Sequence, residues 1–525
     1  MAQAAVPPIG PSLGSSVPGF GTDGIRGRAG SVLTPALCLQ VGYWFGRALS
    51  QPGPVLIGMD SRSSGSMVAS ALTAGLTAAG REVWSLGLCA TPAVPLLIRQ
   101  VGAAGGLMVS ASHNPPEDNG IKAFGADGAK LGSDLQARIE AGLRGEAEVG
   151  DSDGSRCGAA HQRSDLLSSY SDALLASVGP KRLDGVPIVL DLCWGSATAC
   201  GADVFEALGA DLTVLHGKPD GARINVACGS TQLDPLRQAV VERGAAMGFA
   251  FDGDADRMLA VDGRGRVVDG DHVLFLWGSV LQQQQTLPDQ RLVATVMSNL
   301  GFERAWQQRG GLLDRTPVGD QHVHAAMGAS GAALGGEQSG HILSASHGLC
   351  GDGVLTALQL ATLCHAQGIS LCDWLDRSFQ AFPQKLVNVR VPDRSRRKGW
   401  ASCPPLSDAV RSAEEAMGDE GRVLVRASGT EPVLRVMVEA ADQRMVESWT
   451  THLAAVADRH LNAAGGRGPG SGLHRRRLRR QHSIEPEEVD GSGLPRSSGD
   501  SPADARLHPH GRRAGERQAR VGLQP

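Results

Sequence analysis

The chain has 525 residues, a formal net charge of −4, ten cysteines, 70 glycines and only 4% aromatic residues. That length divides into three or four domains, each able to bury a core of its own. So small a net charge excludes a body built to gather polyanions in bulk, and no apolar run reaches the ~18 residues of a membrane span. The cysteines form no C-x-x-C pair, so zinc-ribbon spacing is absent. They read as reduced core residues of a cytoplasmic protein. The start, MAQAAVPPIGPSLGSSVP, lacks a basic n-region and is broken by prolines. Residues 1–16 therefore read as a flexible leader, not a secretory signal.

The first landmark is Gly19-Phe20-Gly21-Thr22-Asp23-Gly24-Ile25-Arg26-Gly27. Four glycines around Arg26 allow a close backbone approach to an anion with a guanidinium at hand; a glycine-rich turn is the plainer reading. Residues 36–49 follow Pro35 as a helix, 55–58 as a buried strand, 67–79 as a second helix, and 82–84 begin another strand. Such alternation indicates βαβ units, whose ligands sit beyond the carboxyl ends of the strands. The short apolar strand 106–109 runs into a polar loop that offers Ser112, His113, Asn114, Asn119 and Lys122. Pro115 and Pro116 stiffen its exit. A serine delivered by a strand, with a cation nearby, suits a nucleophile or phosphoryl carrier, though it also suits a turn with a capping serine.

Residues 145–158 are acidic and glycine-rich without periodicity, and place a first border near 155. The second unit reads as strand 186–192, helix 200–208, strand 212–215, helix 233–244 and strand 247–251. It ends in Asp252-Gly253-Asp254-Ala255-Asp256-Arg257. Three carboxylates at alternate positions repel one another unless a hard cation sits among them; the alternative is a solvated acidic turn. In the third unit, strand 292–297 exits at Ser298 and Asn299. Further on, glycines bracket Glu337, Gln338, Ser339 and His341, an inventory suited to a polyhydroxylated ligand or to a hairpin turn. The fourth unit reads as strand 386–391, helix 407–417, strands 422–425 and 434–438, and helix 445–461. Between its last strands lies Arg426-Ala427-Ser428-Gly429-Thr430-Glu431-Pro432, with Arg435 beyond it. This is a compact phosphate cradle or an unliganded turn. From 464 to 525 the chain is rich in Gly, Arg, Ser and Pro and reads as a disordered tail. Its basic run at His474–Arg480 could touch nucleic acid or acidic lipid, and a solvated appendage is the plainer reading.

Taken together, FGTDGIRG, SASHNP followed by DNGIK, DGDADR, GEQSGH and RASGTEP resemble the loops of the α-D-phosphohexomutase family, the bacterial phosphoglucosamine mutases most of all. The resemblance spans about residues 17–463 and keeps the order of the loops. It implies an α/β protein of three similar α/β/α domains with mixed sheets (17–155, 156–262, 263–378) and a smaller α+β domain (379–463) around a central cleft. It further implies a phosphoserine at Ser112, and a single Mg2+ held by Asp252, Asp254 and Asp256 with the Ser112 phosphate. Sugar contacts are implied at Glu337, Ser339 and His341, and a grip on the distal phosphate at Arg426, Ser428, Gly429, Thr430 and Arg435. Arg26, Lys122 and Arg257 are the implied partners of the moving phosphoryl group, and His113 either orients the serine or assists proton transfer.

The implied reaction interconverts glucosamine 6-phosphate and glucosamine 1-phosphate through a glucosamine 1,6-bisphosphate intermediate, feeding UDP-N-acetylglucosamine and cell-wall precursors. The implied partner is a small sugar phosphate, with no nucleic acid or membrane, and the enzyme a monomer or homodimer. Two positions depart from the family pattern: Ala123, where an aromatic is common, and Ala427, where a larger residue often stands. The rival readings are a phosphomannomutase or phosphoglucomutase on the same scaffold, a serine phosphatase using Ser112 and His113, and a nucleic-acid binder using the tail. No G-x-S-x-G elbow supports the hydrolase.

Overall fold

The computed structural model describes residues 18–21, 23–147, 157–348, 350–428 and 431–462. Gly429, Thr430, the expected leader and the expected tail lie outside them. The chain divides into Met1–Ala464 and Gly465–Pro525, and every described residue belongs to the first of these units.

Four sheets succeed one another along the chain. The first orders its strands Ile25–Arg28, Asp118–Phe124, Gly105–Val109, Val55–Met59, Val83–Leu88 and Ala160–Gln162. The second runs Val267–Val268, Met258–Asp262, Met247–Phe251, Pro187–Asp191 and Asp211–Leu215. The third runs Leu312–Thr316, Arg291–Thr295, Leu334–Gly336 and Ile342–Ser344, and the fourth Gln384–Arg390, Val433–Ala440 and Gly421–Ala427. In the first three, parallel strands form the body and an antiparallel hairpin forms one side. The fourth sheet is antiparallel throughout.

The helices begin where the sequence supplies caps. The Thr34 side chain accepts from the Leu37 N–H, with Pro35 in the first turn, and Asp269, Asn299 and Asp352 cap three helices of the third unit in the same way. The strands Val55–Met59, Gly105–Val109, Pro187–Asp191 and Met247–Phe251 are short runs of apolar residues and glycine, Asp191 apart, buried on both faces, as sheets covered by helices require.

Two expected borders shift. Ala160–Gln162, beyond 155, still pairs with Val83–Leu88 as the outer strand of the first sheet, and Val267–Val268, beyond 262, pairs with Met258–Asp262 of the second. In both places the chain completes a sheet edge before crossing over. Asn119 and Lys122 also differ from expectation. They belong to the strand Asp118–Phe124 and are buried, not carried by the polar loop.

The motifs around Ser112, Asp252 and Glu337 are turns of antiparallel hairpins, and the fourth lies between two antiparallel strands. Residues 110–117 join Gly105–Val109 to Asp118–Phe124, and 252–257 join Met247–Phe251 to Met258–Asp262. Residues 337–341 join Leu334–Gly336 to Ile342–Ser344, and the fourth turn follows Gly421–Ala427. Repeating one supersecondary device four times brings four polar turns to one place.

Candidate active site

Ser112 stands in the first turn with φ of 54°, a left-handed conformation that a non-glycine residue keeps only when its surroundings fix it. Those surroundings are explicit. Its N–H donates to Ser110 Oγ at 2.8 Å, and Ser110 Oγ donates to Asp60 Oδ2 at 2.6 Å. Its carbonyl accepts from Arg62 Nη2 at 2.9 Å and Asn225 Nδ2 at 2.8 Å. Burial pushes the Asp60 carboxyl up to about 6, against the pull of Arg62. The Ser112 hydroxyl donates to Asp252 Oδ2 at 2.5 Å and lies 3.4 Å from His113 Nδ1. Burial, and then Arg257, bring His113 down to about 4, so its ring is neutral at pH 7.

Asp252, Asp254 and Asp256 converge, with one carboxylate oxygen of each within 4.8 Å of the others. All three are buried. Lys122 reaches them from the neighbouring sheet, its Nζ 2.6 Å from Asp254 Oδ2 and 2.5 Å from Asp256 Oδ2. Burial opposes the charge on that lysine, but the two carboxylates outweigh it and raise its pKa. Burial likewise raises Asp252 well above the carboxylate range, with Asp256 and Asp254 adding to it. Asp254 Oδ1 and Asp256 Oδ1 have no hydrogen-bond partner. Lys122, His341 and Arg257 offset part of this charge at Asp254 and Asp256, and three convergent carboxylates with two oxygens free of hydrogen bonds are a donor set that a hard divalent cation takes. The residues fit such an ion.

A cleft of about 710 Å³ opens beside them. All four units line it, through Phe20 and Asp23, Arg257, Glu337 and His341, and Arg426 and Arg435. His341 links the units: its ring faces Asp256 at 3.6 Å and Asp320 at 3.4 Å. Burial works against its charge, yet these carboxylates hold its pKa up to about 10. Asp320 also pairs with Lys130 at 2.5 Å, and Lys130 with Asp23 at 2.6 Å. Glu337 accepts from the Gly319 N–H at 3.1 Å and from Ser339 Oγ at 3.4 Å. Arg26 Nε and Nη2, Arg257 Nε, His341 Nε2 and Arg435 Nε have no hydrogen-bond partners. Each unit thus places a cationic group at this region, and Arg26, Arg257 and Arg435 each keep an Nε without a hydrogen bond, whereas His341 is held between Asp256 and Asp320; such free guanidinium donors suit an anion.

Models of the four phosphoglucomutase/phosphomannomutase domains match the chain in order: domain I at residues 18–149, domain II at 168–265, domain III at 269–382 and the C-terminal domain at 386–456. A phosphoglucosamine mutase of Parasynechococcus marenigrum (strain WH8102) is 80% identical over 464 residues, 88% of this chain and 100% of that protein. The chain belongs to the phosphoglucomutase/phosphomannomutase family.

Members of this family share the architecture at low identity. A Burkholderia thailandensis phosphoglucomutase/phosphomannomutase family protein superposes with a TM-score of 0.70 at 24% identity, covering 85% of this chain and 98% of its own. The N-acetylphosphoglucosamine mutase of Aspergillus fumigatus, solved with GlcNAc-6P and magnesium, does so with a TM-score of 0.60 at 19% identity, covering 84% and 96%.

Of the residues the motifs singled out, Arg257, Glu337 and His341 line the cleft, Ser112 and Lys122 bond to the aspartates, and Ser339 bonds to Glu337. Arg426, Ser428 and Arg435 line the far side of the cleft. Arg62, Asn225, Lys130, Asp320 and Arg394 were missed. Asp60 to Arg62 and Gly319 to Asp320 follow strand ends, which was the available signal; nothing local marks Lys130 or Asn225. Among the described residues no helix is long and apolar enough to cross a membrane.

Proposed function

We propose that the protein interconverts glucosamine 6-phosphate and glucosamine 1-phosphate, the activity carried in the name of its curated relatives, phosphoglucosamine mutase. The observation that carries the reading is the placing of a buried serine hydroxyl beside three convergent aspartates, under a cleft where all four units present cationic donors.

In this reading Ser112 carries the phosphoryl group. The free hydroxyl of the sugar phosphate attacks phosphorus, the bond to Ser112 Oγ breaks, and a glucosamine 1,6-bisphosphate results. After the sugar turns end for end, Ser112 Oγ takes the phosphoryl group from the other position. His113, neutral and 3.4 Å from Oγ, is placed to hold the proton in transit. Asp252, Asp254 and Asp256, with the Ser112 phosphate, would hold a magnesium ion, whose bound charge offsets that of the transferring group. Arg26, Lys122 and Arg257 supply further positive charge. Glu337, Ser339 and His341 orient the sugar, and Arg426, Ser428 and Arg435, with Gly429 and Thr430, grip whichever phosphate is distal. A phosphate grip accepts both orientations because a dianion offers similar acceptors from either end. The protein in this reading is a cytoplasmic monomer or homodimer whose partner is a small sugar phosphate.

The test is turnover of glucosamine 6-phosphate against mannose and glucose 6-phosphates, with Ser112→Ala in parallel. We expect the amino sugar to be the best substrate, and the variant to lose about a thousandfold or more in turnover. It should also lack the phosphoryl mass found on the parent. Faster turnover of mannose 6-phosphate, or an active Ser112→Ala enzyme, would overturn the reading.

A further inference from the structure

Behind the Ser112 turn, the second unit holds a buried cluster that the proposed reaction does not use. Cys193 follows the strand Pro187–Asp191, and Cys228 precedes the short turn Gly229–Thr231. Both are fully buried, and their sulfurs face each other at 3.8 Å. The approach is built into the backbone: a Cβ at Gly229, whose φ is +70°, would lie 2.4 Å from Cys193 Sγ. Asp191 ties the two segments together, accepting the Cys193 N–H on Oδ1 at 3.0 Å and the Gly229 N–H on Oδ2 at 2.9 Å. The Cys193 thiol donates to Asn225 Oδ1 at 3.1 Å. Asn225 in turn donates to the carbonyls of Ser112 and Asn114 at 2.8 and 2.9 Å.

We infer that Cys193 and Cys228 are an oxidation site for a hydroperoxide, and that their disulfide releases the Ser112 turn. Cys228 is the attacking sulfur, because the Cys193 proton is engaged by Asn225 Oδ1 at 3.1 Å while Cys228 Sγ has only the long contacts to the Cys193 sulfur and the Arg223 carbonyl, both at 3.8 Å. Its thiolate attacks one peroxide oxygen, giving a sulfenic acid and hydroxide. The Cys193 sulfur then attacks Cys228, the S–S bond forms, and the sulfenic oxygen leaves as water with the Cys193 proton. Two electrons pass from the sulfur pair to the peroxide, and the hydroxide takes up the proton that Cys228 gave up, making a second water. A dithiol reverses the bond by exchange.

The consequence for the site is direct. The sulfurs must close from 3.8 Å to ~2.05 Å, and the S–H donor to Asn225 disappears. Asn225 sits with φ of 61°, so a residue that loses a partner there is free to leave that conformation and the two carbonyls it holds.

Asp191, His216 and Cys228 also stand near enough to share a cation. Asp191 is already satisfied by protein N–H groups and faces His216 Nδ1 at 2.8 Å, so the cluster is complete without one.

The experiment treats the full-length protein with hydrogen peroxide, removes the excess, alkylates free thiols and maps the peptides by mass spectrometry, with turnover measured alongside. We expect a 193–228 cross-link, a fall in turnover of roughly tenfold to a hundredfold, and recovery of both on adding dithiothreitol. Cys228→Ser should keep the reduced protein's turnover and resist peroxide, whereas Cys157→Ser, which removes an exposed cysteine, should stay sensitive. Three results overturn the inference: oxidation of Cys157 without the 193–228 cross-link, a cross-link that leaves turnover unaltered, or stoichiometric zinc that Cys228→Ser loses. Should Cys228→Ser fail to fold, the map of the parent protein still decides. Only the turnover arm rests on the proposed reaction, and untreated protein without turnover would count against that reaction while the map stands apart from it.

Discussion

Arg62 spends four of its five N–H donors on the serine turn and the first residue of the strand after it. Its Nε donates to Asp60 at 3.0 Å, one terminal nitrogen to the carbonyls of Pro115 and Asp118, and the other to those of Ser112 and Asn114. A planar fork can meet five acceptors spread around it; an ammonium has three donors and no fork. Arg62→Lys therefore leaves carbonyls of the turn unpaired and lets Ser112 depart from its strained conformation. We expect turnover to fall roughly tenfold to a hundredfold with KM within about twofold, because the groups lining the cleft are untouched, and steady-state kinetics with a thermal melt read both. Unchanged turnover would mean that the turn holds itself. The sequence shows Arg62 just past a strand end, which is a good place for a functional residue. It does not show that the residue's partners lie about fifty positions further on. Ser112 and the aspartates were legible because their chemistry is concentrated within a few residues; Arg62, Asn225 and Asp320 act across the chain and leave no local pattern.

The element that organises the site is the antiparallel hairpin at the side of each sheet. Its first strand is apolar and easily read, as at Met247–Phe251, where expected and observed limits coincide. Its second strand is harder. Asp118–Phe124 carries Asn119 and Lys122 in buried positions, and a polar residue inside a strand is sustainable only when a partner from elsewhere satisfies it. Lys122 finds two aspartates in the next unit, so the pattern breaks where the function lies. The turns also meet one another closely. A Cβ on Gly253 would lie 2.7 Å from the Ser112 carbonyl oxygen and 2.9 Å from Asn225 Nδ2. Gly253→Ala must push the first and second turns apart, and we expect roughly tenfold to hundredfold slower turnover with an unaltered circular dichroism spectrum. Gly328, in the helix Asp320–Ser330 with nothing within 4 Å of its would-be Cβ, is the matched control. Gly328→Ala should leave turnover alone and add about 0.5–1 kcal/mol of stability. Equal turnover in the two variants would separate the close approach of the turns from catalysis.

At the scale of the molecule, one apolar core that includes Leu97, Phe205, Phe249 and Trp306 runs through the first three units, beside a second core of the first unit around Val41, Val68 and Leu107, whereas the fourth unit has its core around Val391, Leu406, Val436 and Leu453. What joins the fourth unit to the third is polar. Glu439, fully buried, accepts the Leu300 N–H at 2.9 Å and Arg422 Nε at 2.5 Å. Arg422 also donates to the carbonyls of Val296 and Ser298 at 2.8 and 2.6 Å, and Asn299 to that of Phe382 at 3.0 Å. The exit of the strand Arg291–Thr295, which its position marks as a place for a ligand, thus receives a neighbouring unit instead. A hydrogen-bonded seat without a shared apolar core lets that unit move without exposing hydrophobic surface, and the fourth unit carries Arg426 and Arg435 into the cleft. Arg422→Met removes the seat's cation and leaves Glu439 buried with one N–H, a loss on the order of 3–5 kcal/mol. That cost falls on the attachment, not on the three-unit core. Calorimetry should therefore resolve an early transition for the fourth unit ahead of the main one. KM for the sugar phosphate should rise while the phosphoryl group proposed for Ser112 is retained, because the groups around Ser112 belong to the first and second units. A single transition at the parent's temperature, with KM unmoved, would show that the fourth unit is held by something other than this pair.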